Sequence, residues 1–509
     1  MRASPPHWPL RALLAGYAEV PTALDRPITG LTNDSRQVRN GDLFLATQGL
    51  HHHGLEFLPT VRAAGAAAVA WEPPYATAAE HDSDSSCPLV AVAGLSSKVG
   101  PIAGRYYGEP TRELTVVGIT GTDGKTSCAH FIAQALHEET GSCGILGTLG
   151  YGRYGQTLSA THTTPDALSL QNNLATLRQQ DAKYVVMEVS SHALAQERVA
   201  GVDFAVAMLT NLGRDHLDYH GDVSHYAAAK ARLFLAHQPN HAVLNLDDAF
   251  GQQLQNAVTA DVVGYGLGER PPKSTAWIWG EALTLSPQGL QIKIRSSWGD
   301  GELSSRLLGR FNAHNLLAAL ATLLVLDMPF DAALRRLSQV ATVSGRMERF
   351  GGDGLCPLVV VDYAHTPQAL EQALQALRGH AAGRLWCVFG CGGERDPGKR
   401  PLMGTIAERY ADNIIVTNDN PRGEQPRQIM RDILAGTHYP DRTSVIEDRH
   451  SAIQQAITAA AATDIVLIAG KGHEDYQLIG EQRLPFSDRE VVSQCLVEWA
   501  LPTQQRRAS

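Results

Sequence analysis

The sequence predicts an α/β protein of three domains, the central one a parallel sheet that carries a phosphate-binding loop. Three observations support this. The stretch Val116–Ser127 (VVGITGTDGKTS) passes from β-branched residues through a glycine-studded turn into a helix-favouring segment, Cys128–Glu139. The middle of the chain holds near-continuous apolar runs, which suit strands buried on both faces of a parallel sheet. The last third repeats strand then helix, and its strongest strands each end in a polar cluster. A length of 509 residues fits about three domains.

In chain order, residues 1–110 alternate short strands and helices. Gly41–Thr47 reads as a strand, Leu58–Ala64 as a helix and Ala67–Trp71 as a second strand. Asp82–Ser86 reads as a solvated loop. Asp34-Ser35-Arg36 and the run His51–His53 are the polar features of this part. Three successive histidines cannot all face one metal from a regular element, so a loop is expected there. The region reads as a recognition module, with Glu109-Pro110 as its linker to a domain over 111–343. In that domain Lys183–Val189, Phe204–Thr210 and His241–Leu246 are the buried-strand candidates, and Glu188 closes the first of them. Residues 274–297 alternate as an antiparallel flap would, and Asn312–Leu326 is an apolar helix.

The pattern breaks at Ser344–Gly352, and a third α/β unit runs over 344–509. Its strands Leu358–Tyr363, Leu385–Gly390, Asn413–Thr417 and Ile465–Ala469 lead into DYAHTP, GCGGERDPGKRP, NDNPRGE and GKGHEDYQ. Open parallel sheets bind ligands beyond the carboxyl ends of their strands, so these clusters are expected to form one convergent rim.

The bulk numbers exclude some classes. With 44% hydrophobic and 19% charged residues the chain can bury substantial cores. Lys plus Arg is 43 against 52 for Asp plus Glu, a net charge of -9, which argues against general nucleic-acid binding and a basic membrane anchor. Seven scattered cysteines favour a reducing compartment. Cys387 and Cys391 lack a second pair, so zinc is not expected. Met1–Pro9 is polar and proline-rich rather than signal-like, and the alanine-rich stretches are too short or interrupted to span a bilayer. A cytoplasmic protein without a membrane partner is expected.

The chemistry concentrates in a few motifs. Glycines let the loop backbone wrap an anion, a helix N-terminus aims free N–H groups at it, and Lys125 adds a full charge. Thr126 offers a hydroxyl to a magnesium ion on the phosphates. The loop is shorter than the usual phosphate-loop pattern, whose first glycine would fall at Ile119; Gly118 lies one residue upstream of that position and Gly121 two downstream. Glu188 and the acid- and histidine-rich Asn211–Gly221 offer a carboxylate and an imidazole, a reasonable magnesium environment in which His216 would be an uncommon ligand. Tyr226–Lys230 starts a helix. Taken singly, Glu188 also reads as a salt-bridged strand end, His216 as a loop histidine, Lys230 as an exposed helix lysine and Arg422 as a surface ion pair.

GTDGKTS, EVSSHALAQERV, TNLGRDHLDYHG, HYAAAK, FNAHNLLAA, SGRMER, DYAHTP and DNPR together, in this order, closely resemble the Mur ligases of peptidoglycan synthesis. The resemblance covers nearly the whole chain and is closest to the diaminopimelate-adding branch. It implies an N-terminal α/β UDP-binding domain, a central P-loop domain and a C-terminal Rossmann-like domain. By this resemblance Gly121, Thr122, Asp123, Gly124, Lys125, Thr126 and Ser127 would hold the ATP phosphates. Asn315 and Arg346 would contact the nucleotide, with Asp362 and His365 helping to close the third domain over it. Thr126, Glu188 and His216 would meet Mg2+, and Lys230 would carry a CO2-derived carbamate that shares a second ion. Ser35 would contact the uridine diphosphate, and Thr163, Thr164, Ser190, Gln196 and Arg198 the muramoyl-dipeptide, UDP-MurNAc-L-Ala-D-Glu.

The DNPR form implies meso-diaminopimelate rather than lysine. Arg422 and Arg395 can clamp a second carboxylate that lysine lacks, Asp419 and Glu474 can accept from its ammonium, and Asn420, Pro421 and Gly470 complete the set. The implied reaction phosphorylates the D-glutamate γ-carboxylate, and the amine then displaces phosphate from the acyl phosphate. Asp123 replaces the asparagine common in this family's loop, adding negative charge beside the phosphates. A monomer is expected. A folylpolyglutamate-type ligase, a P-loop switch or kinase and a non-catalytic nucleotide-sugar binder are the alternatives.

Overall fold

The computed structural model describes residues 7–49, 52–75, 86–268 and 276–500. His51 and nearly all of the expected 82–86 loop lie outside the described residues. The chain forms two compact units: Met1–Gly266 with Pro271–Ile278 and Ala318–Met328, and Leu267–Arg270 with Trp279–Leu317 and Pro329–Ser509. Among the described residues no helix is long and apolar enough to cross a membrane.

The first unit begins with a parallel sheet in the order Gly30–Thr32, Asp42–Ala46, Ala68–Trp71, Leu89–Ala91. Strand Asp42–Ala46 is buried along its length. Its alternate side chains serve opposite layers, as strand geometry requires. Leu43 and Leu45 pack with Leu13, Ile102 and Tyr106, whereas Phe44 and Ala46 pack with Leu55, Leu58 and Val61.

A second sheet, of eleven strands, includes in order Gln156–Leu158, Gly150–Arg153, Cys143–Gly147, Tyr184–Glu188, Thr115–Thr120, Val206–Leu209, His241–Asn245, Asp261–Leu267. The last six of these are parallel, and the two outermost strands at the other edge are antiparallel. Thr115–Thr120 is central, with Glu188 in register with Ile119 and Leu209 with Thr120, so three strands end together beneath the phosphate loop. Gly118 is needed here: a Cβ would stand 2.6 Å from the Phe204 ring.

In the second unit, Gly289–Ser296 and Gly299–Ser305 form an antiparallel hairpin, in keeping with the flap expected from residues 274–297. A six-stranded sheet follows, in the order Glu348–Gly351, Leu358–Asp362, Ile465–Ala469, Leu385–Phe389, Asn413–Val416, Thr443–Val445. Only the first strand is antiparallel. Asp362 and Phe389 are both in register with Ala469, and Phe389 with Val416, so the polar clusters leave the sheet along one edge.

Two helices start earlier than the sequence pattern suggests. The one expected from Cys128 spans Lys125–Thr140, because Gly124 takes a left-handed conformation (φ 83°) and turns the chain just before Lys125. The one expected from Tyr226 spans Val223–Leu235, because the Asp222 side chain accepts from His225 N and caps it.

Candidate active site

The phosphate loop is braced by its neighbours as well as by its own lysine. Thr122 N donates to Asn211 O (3.0 Å), Asp123 N to Asn211 Oδ1 (3.0 Å) and Thr210 Oγ1 to Asp123 O (2.6 Å). Gly213 N donates to Thr122 Oγ1 (2.7 Å), which also meets Tyr226 OH (3.1 Å). Gly121 has φ 149° and leaves no room for a Cβ, which would lie 1.8 Å from Thr210 Oγ1. Lys125, Thr126 and Ser127 form the first turn of helix Lys125–Thr140, where unsatisfied N–H groups favour an anion.

Two lysines converge on this loop. Lys125 Nζ donates to Gly121 O and Thr122 O, both at 2.9 Å. Lys230 Nζ donates to Gly121 O at 2.7 Å and is only 1% exposed, which corrects the surface reading of a helix lysine. Burial lowers the pKa of Lys125, opposed by Glu188, Asp123 and Asp215. Burial, then the charge of Lys125, lowers Lys230 from 10.5 to about 7. An amine so displaced is neutral often enough to act as a nucleophile at neutral pH.

Glu188 ends its strand 1% exposed, and burial raises its pKa. Thr126 Oγ1 donates to Glu188 Oε2 (2.8 Å), and Thr148 binds the same carboxylate through its N–H (2.8 Å) and its hydroxyl (3.3 Å). A carboxylate and two hydroxyls at the loop are the hard oxygen set that magnesium prefers, so these residues fit the ion. His216 does not join them. It has φ 52°, its Nε2 lies 3.4 Å from Asp215 Oδ2, and its ring packs edge-on against His192. Among the described residues no group of three or more His, Cys, Asp or Glu side chains is placed to hold a metal.

The dipeptide candidates are joined to Glu188. Thr164 Oγ1 donates to Glu188 O (2.8 Å) and accepts from Ser190 N (3.1 Å). Thr163 Oγ1 meets Thr148 Oγ1 (3.0 Å). Arg198 Nη1 donates to Thr164 O (2.9 Å), and its Nε and Nη2 fork onto Gln196 Oε1 (2.9 and 2.6 Å). Gln196 Nε2 in turn donates to Tyr219 OH (3.1 Å). A cavity of about 250 Å³ beside them is lined by Gly147, Tyr151, Thr161, Thr163 and Asp166. Ser35 stands in a separate turn, where Asp34 takes two bonds from the Arg36 guanidinium and is lowered to about 2 by it.

In the second unit the strand-end clusters do converge. Asn420 Nδ2 donates to Glu474 Oε2 (2.9 Å), and the fully buried Lys471 donates to Asn420 Oδ1 (3.1 Å) and Glu474 Oε2 (2.9 Å). Asp419 Oδ1 accepts from Asn420 N (2.7 Å), while its Oδ2 is buried without a partner. Gly470, at φ 119°, lies against that oxygen: a Cβ there would stand 2.6 Å away. Arg422 follows Pro421 in a left-handed conformation (φ 52°), and its Nη1 donates to Gly393 O (2.8 Å). A Cβ on Gly392 would touch both Arg422 Nη1 (3.0 Å) and Arg395 Cγ (3.7 Å), so the two guanidinium-bearing side chains meet at one glycine.

The nucleotide candidates of this unit separate into two places. Asp362 accepts from Met347 N (2.7 Å) and Ala364 N (2.8 Å), and burial raises its pKa. The Arg346 guanidinium lies over the Tyr363 ring at 5.1 Å, and His365 Nδ1 meets Tyr363 O (2.9 Å). Asn315 sits instead on helix Arg310–Val325, bonded to Asn312 Oδ1 (3.1 Å).

Thr148, Tyr219 and Lys471 enter these networks without having been singled out in the sequence. Lys471 and Tyr219 had a signal, their places in the GKGHEDYQ and TNLGRDHLDYHG motifs. Thr148 had none, since only the fold brings it to Glu188.

Three family profiles match the chain: the Mur ligase family catalytic domain over residues 27–96, the Mur ligase middle domain over 119–323 and the Mur ligase glutamate ligase domain over 345–472. The chain is 50% identical over 496 residues to a UDP-N-acetylmuramoyl-L-alanyl-D-glutamate--2,6-diaminopimelate ligase of Alkalilimnicola ehrlichii, covering 96% of this chain and 99% of that one. It is 50% identical over 479 residues to the protein of the same name from Pseudomonas aeruginosa, covering 94% and 97%. A solved structure of a ligase of that name superposes with a TM-score of 0.77 at 36% identity, covering 94% of this chain and 96% of that one.

Proposed function

The chain belongs to the Mur ligase family, and from that premise we infer that it is the ATP-dependent ligase that adds diaminopimelate to UDP-N-acetylmuramoyl-L-alanyl-D-glutamate, a step in making peptidoglycan precursors. The observation that carries the amino-acid assignment is the strand-end pocket of the second unit. It offers a buried, unpartnered Asp419 oxygen to an ammonium and two adjacent arginines to a carboxylate. Meso-diaminopimelate carries both groups at its far end, whereas lysine would leave the arginines unpaired at a large cost.

In the reaction proposed, the D-glutamate γ-carboxylate oxygen bonds to the γ-phosphorus of ATP and the bond to the β-phosphate bridging oxygen breaks, releasing ADP. The amine nitrogen then bonds to the acyl carbon, phosphate leaves and the nitrogen loses a proton. The loop Gly121–Ser127 and Lys125 would bind the triphosphate and stabilise the charge that builds on the transferred group. Arg198, braced by Gln196, would hold the glutamate α-carboxylate, and Ser190, Thr163 and Thr164 would orient the peptide. Ser35 would serve the uridine diphosphate.

Asn315, Arg346, Asp362 and His365 would serve the nucleotide. Magnesium, held by Thr126 and Glu188, would supply a counter-charge for the phosphates. The Lys230 amine, lowered to about 7, is suited to bonding CO2 and releasing a proton, which turns a cation into an anionic carbamate able to share a second ion. We place domain boundaries near 110 and 343 and take the protein to act as a monomer in the cytoplasm, a reducing compartment that its seven scattered cysteines suit. Product analysis tests the reading. ADP, phosphate and one new amide are expected only when ATP, the nucleotide-linked dipeptide and diaminopimelate are all present. ATP turnover without amide formation would overturn it.

A further inference from the structure

Arg449 and Asp488 form an ion pair with no exposed side-chain surface at all. Arg449 Nε donates to Asp488 Oδ1 and Nη2 to Oδ2, both at 2.7 Å. The same guanidinium sends two further bonds sideways, from Nη1 to Asn418 O and from Nη2 to Ala469 O, both at 3.0 Å. Asn418 immediately precedes Asp419, and Ala469 immediately precedes Gly470. Ala469 ends its strand and Asn418 lies two residues past the end of Asn413–Val416; the two strands are not direct neighbours, because Leu385–Phe389 runs between them. The ladders through that middle strand stop at Val416 and Ala469, and beyond them Arg449 bridges the two loops directly.

Burying an ion pair is costly, and an apolar pair of similar volume would serve the packing as well or better. An apolar pair could not satisfy the buried Ala469 carbonyl or the half-buried Asn418 carbonyl. The loops it ties are also in mutual contact, since the missing Cβ of Gly470 is what lets Asp419 Oδ2 approach. Beyond them Gln477 Nε2 donates to Asp419 O (2.7 Å), so the Asp419 backbone is gripped from the far side too. The carboxylates of Asp419 and Glu474, behind that of Asp488, help to hold the buried Arg449 in its charged form.

We propose that Arg449, oriented by Asp488, is a positioning residue for the amino-acid substrate: it sets the separation of the Asp419–Arg422 and Gly470–Glu474 walls, and with it the affinity for diaminopimelate and the preference for diaminopimelate over lysine. This rests on the reading of that pocket given above. Neither residue touches the substrate in this proposal.

Steady-state kinetics of Arg449→Lys and Asp488→Asn test it, alongside the thermal midpoint of each. Lysine cannot donate in a fork, and asparagine presents one oxygen where aspartate presents two. The expected result is a rise in diaminopimelate KM of roughly ten- to a hundredfold, with the KM values for ATP and the nucleotide-dipeptide unchanged. Discrimination against lysine should fall, and the protein should stay folded. An unchanged diaminopimelate KM in folded variants would overturn the proposal. So would a parallel rise in all three KM values, or the unfolding of both variants, because either would make the pair a general support. A wild-type enzyme that ligates lysine instead would refute the substrate assignment alone, and a rise in amino-acid KM confined to that substrate would still support the positioning role.

Discussion

Lys230 illustrates how a single side chain can be misread from its neighbours in sequence. It stands on a helix amid alanines, yet it is buried with its ammonium on Gly121 O. Lys230→Ala should nearly abolish phosphate release in the complete reaction, whereas retained full activity would remove the carbamate role. Its titration makes a separate prediction. The folded protein holds this proton less tightly than the unfolded chain does, so the unfolded state carries more protons between about 7 and 10.5. Stability from this group should therefore rise with pH across that window and be lost as pH falls towards 7. In CO2-free, metal-free buffer, the unfolding midpoint should climb from pH 7 to 9.5 more steeply for the wild type than for Lys230→Met. Arg422 belongs to the same scale. Arg422→Ala should raise the diaminopimelate KM by roughly thirtyfold, about 2 kcal/mol, by leaving a carboxylate unpaired. An unchanged KM would end the argument for a carboxylate clamp.

At the scale of elements, the site depends on strands that end together and on helices that begin at defined residues. Gly118 lies in the central strand beneath the phosphate loop, where the Phe204 ring fills the space a side chain would need. Gly118→Ala should lower stability by about 1–3 kcal/mol in denaturant unfolding, through overpacking rather than through any loss of chemistry. Asp166 caps helix Ala167–Gln179, accepting from Leu168 N and Ser169 N at 3.1 Å each, and also lines the cavity beside Thr163. Asp166→Ala should cost about 1 kcal/mol of stability, with serine at the same position recovering most of it.

For the whole molecule, binding of one substrate should be measurable without turnover of the others. Diaminopimelate at a hundred times its Kd should stabilise the protein by about 2.7 kcal/mol in thermal unfolding, and lysine at the same concentration should not. Equal stabilisation by the two amino acids would show that the pocket does not read the second carboxylate.

The sequence by itself determined the fold class, the phosphate loop and four strands of each main sheet, each to within a residue or two at its ends; Cys143–Gly147, Gly150–Arg153, Gln156–Leu158, Asp261–Leu267, Glu348–Gly351 and Thr443–Val445 were not singled out. These features are local: a buried strand needs an apolar run, and a phosphate cradle needs glycines and a lysine at fixed offsets. Family resemblance extended that reading to candidate residues for the amino-acid substrate. Only the tertiary structure decided which polar groups meet. It buried Lys230, joined Thr148 to Glu188, left Asp419 Oδ2 without a partner and set Arg449 between two loops whose strands are not direct neighbours in the sheet. Such meetings join residues tens of positions apart. They follow from sheet order and register, which no short window of sequence contains.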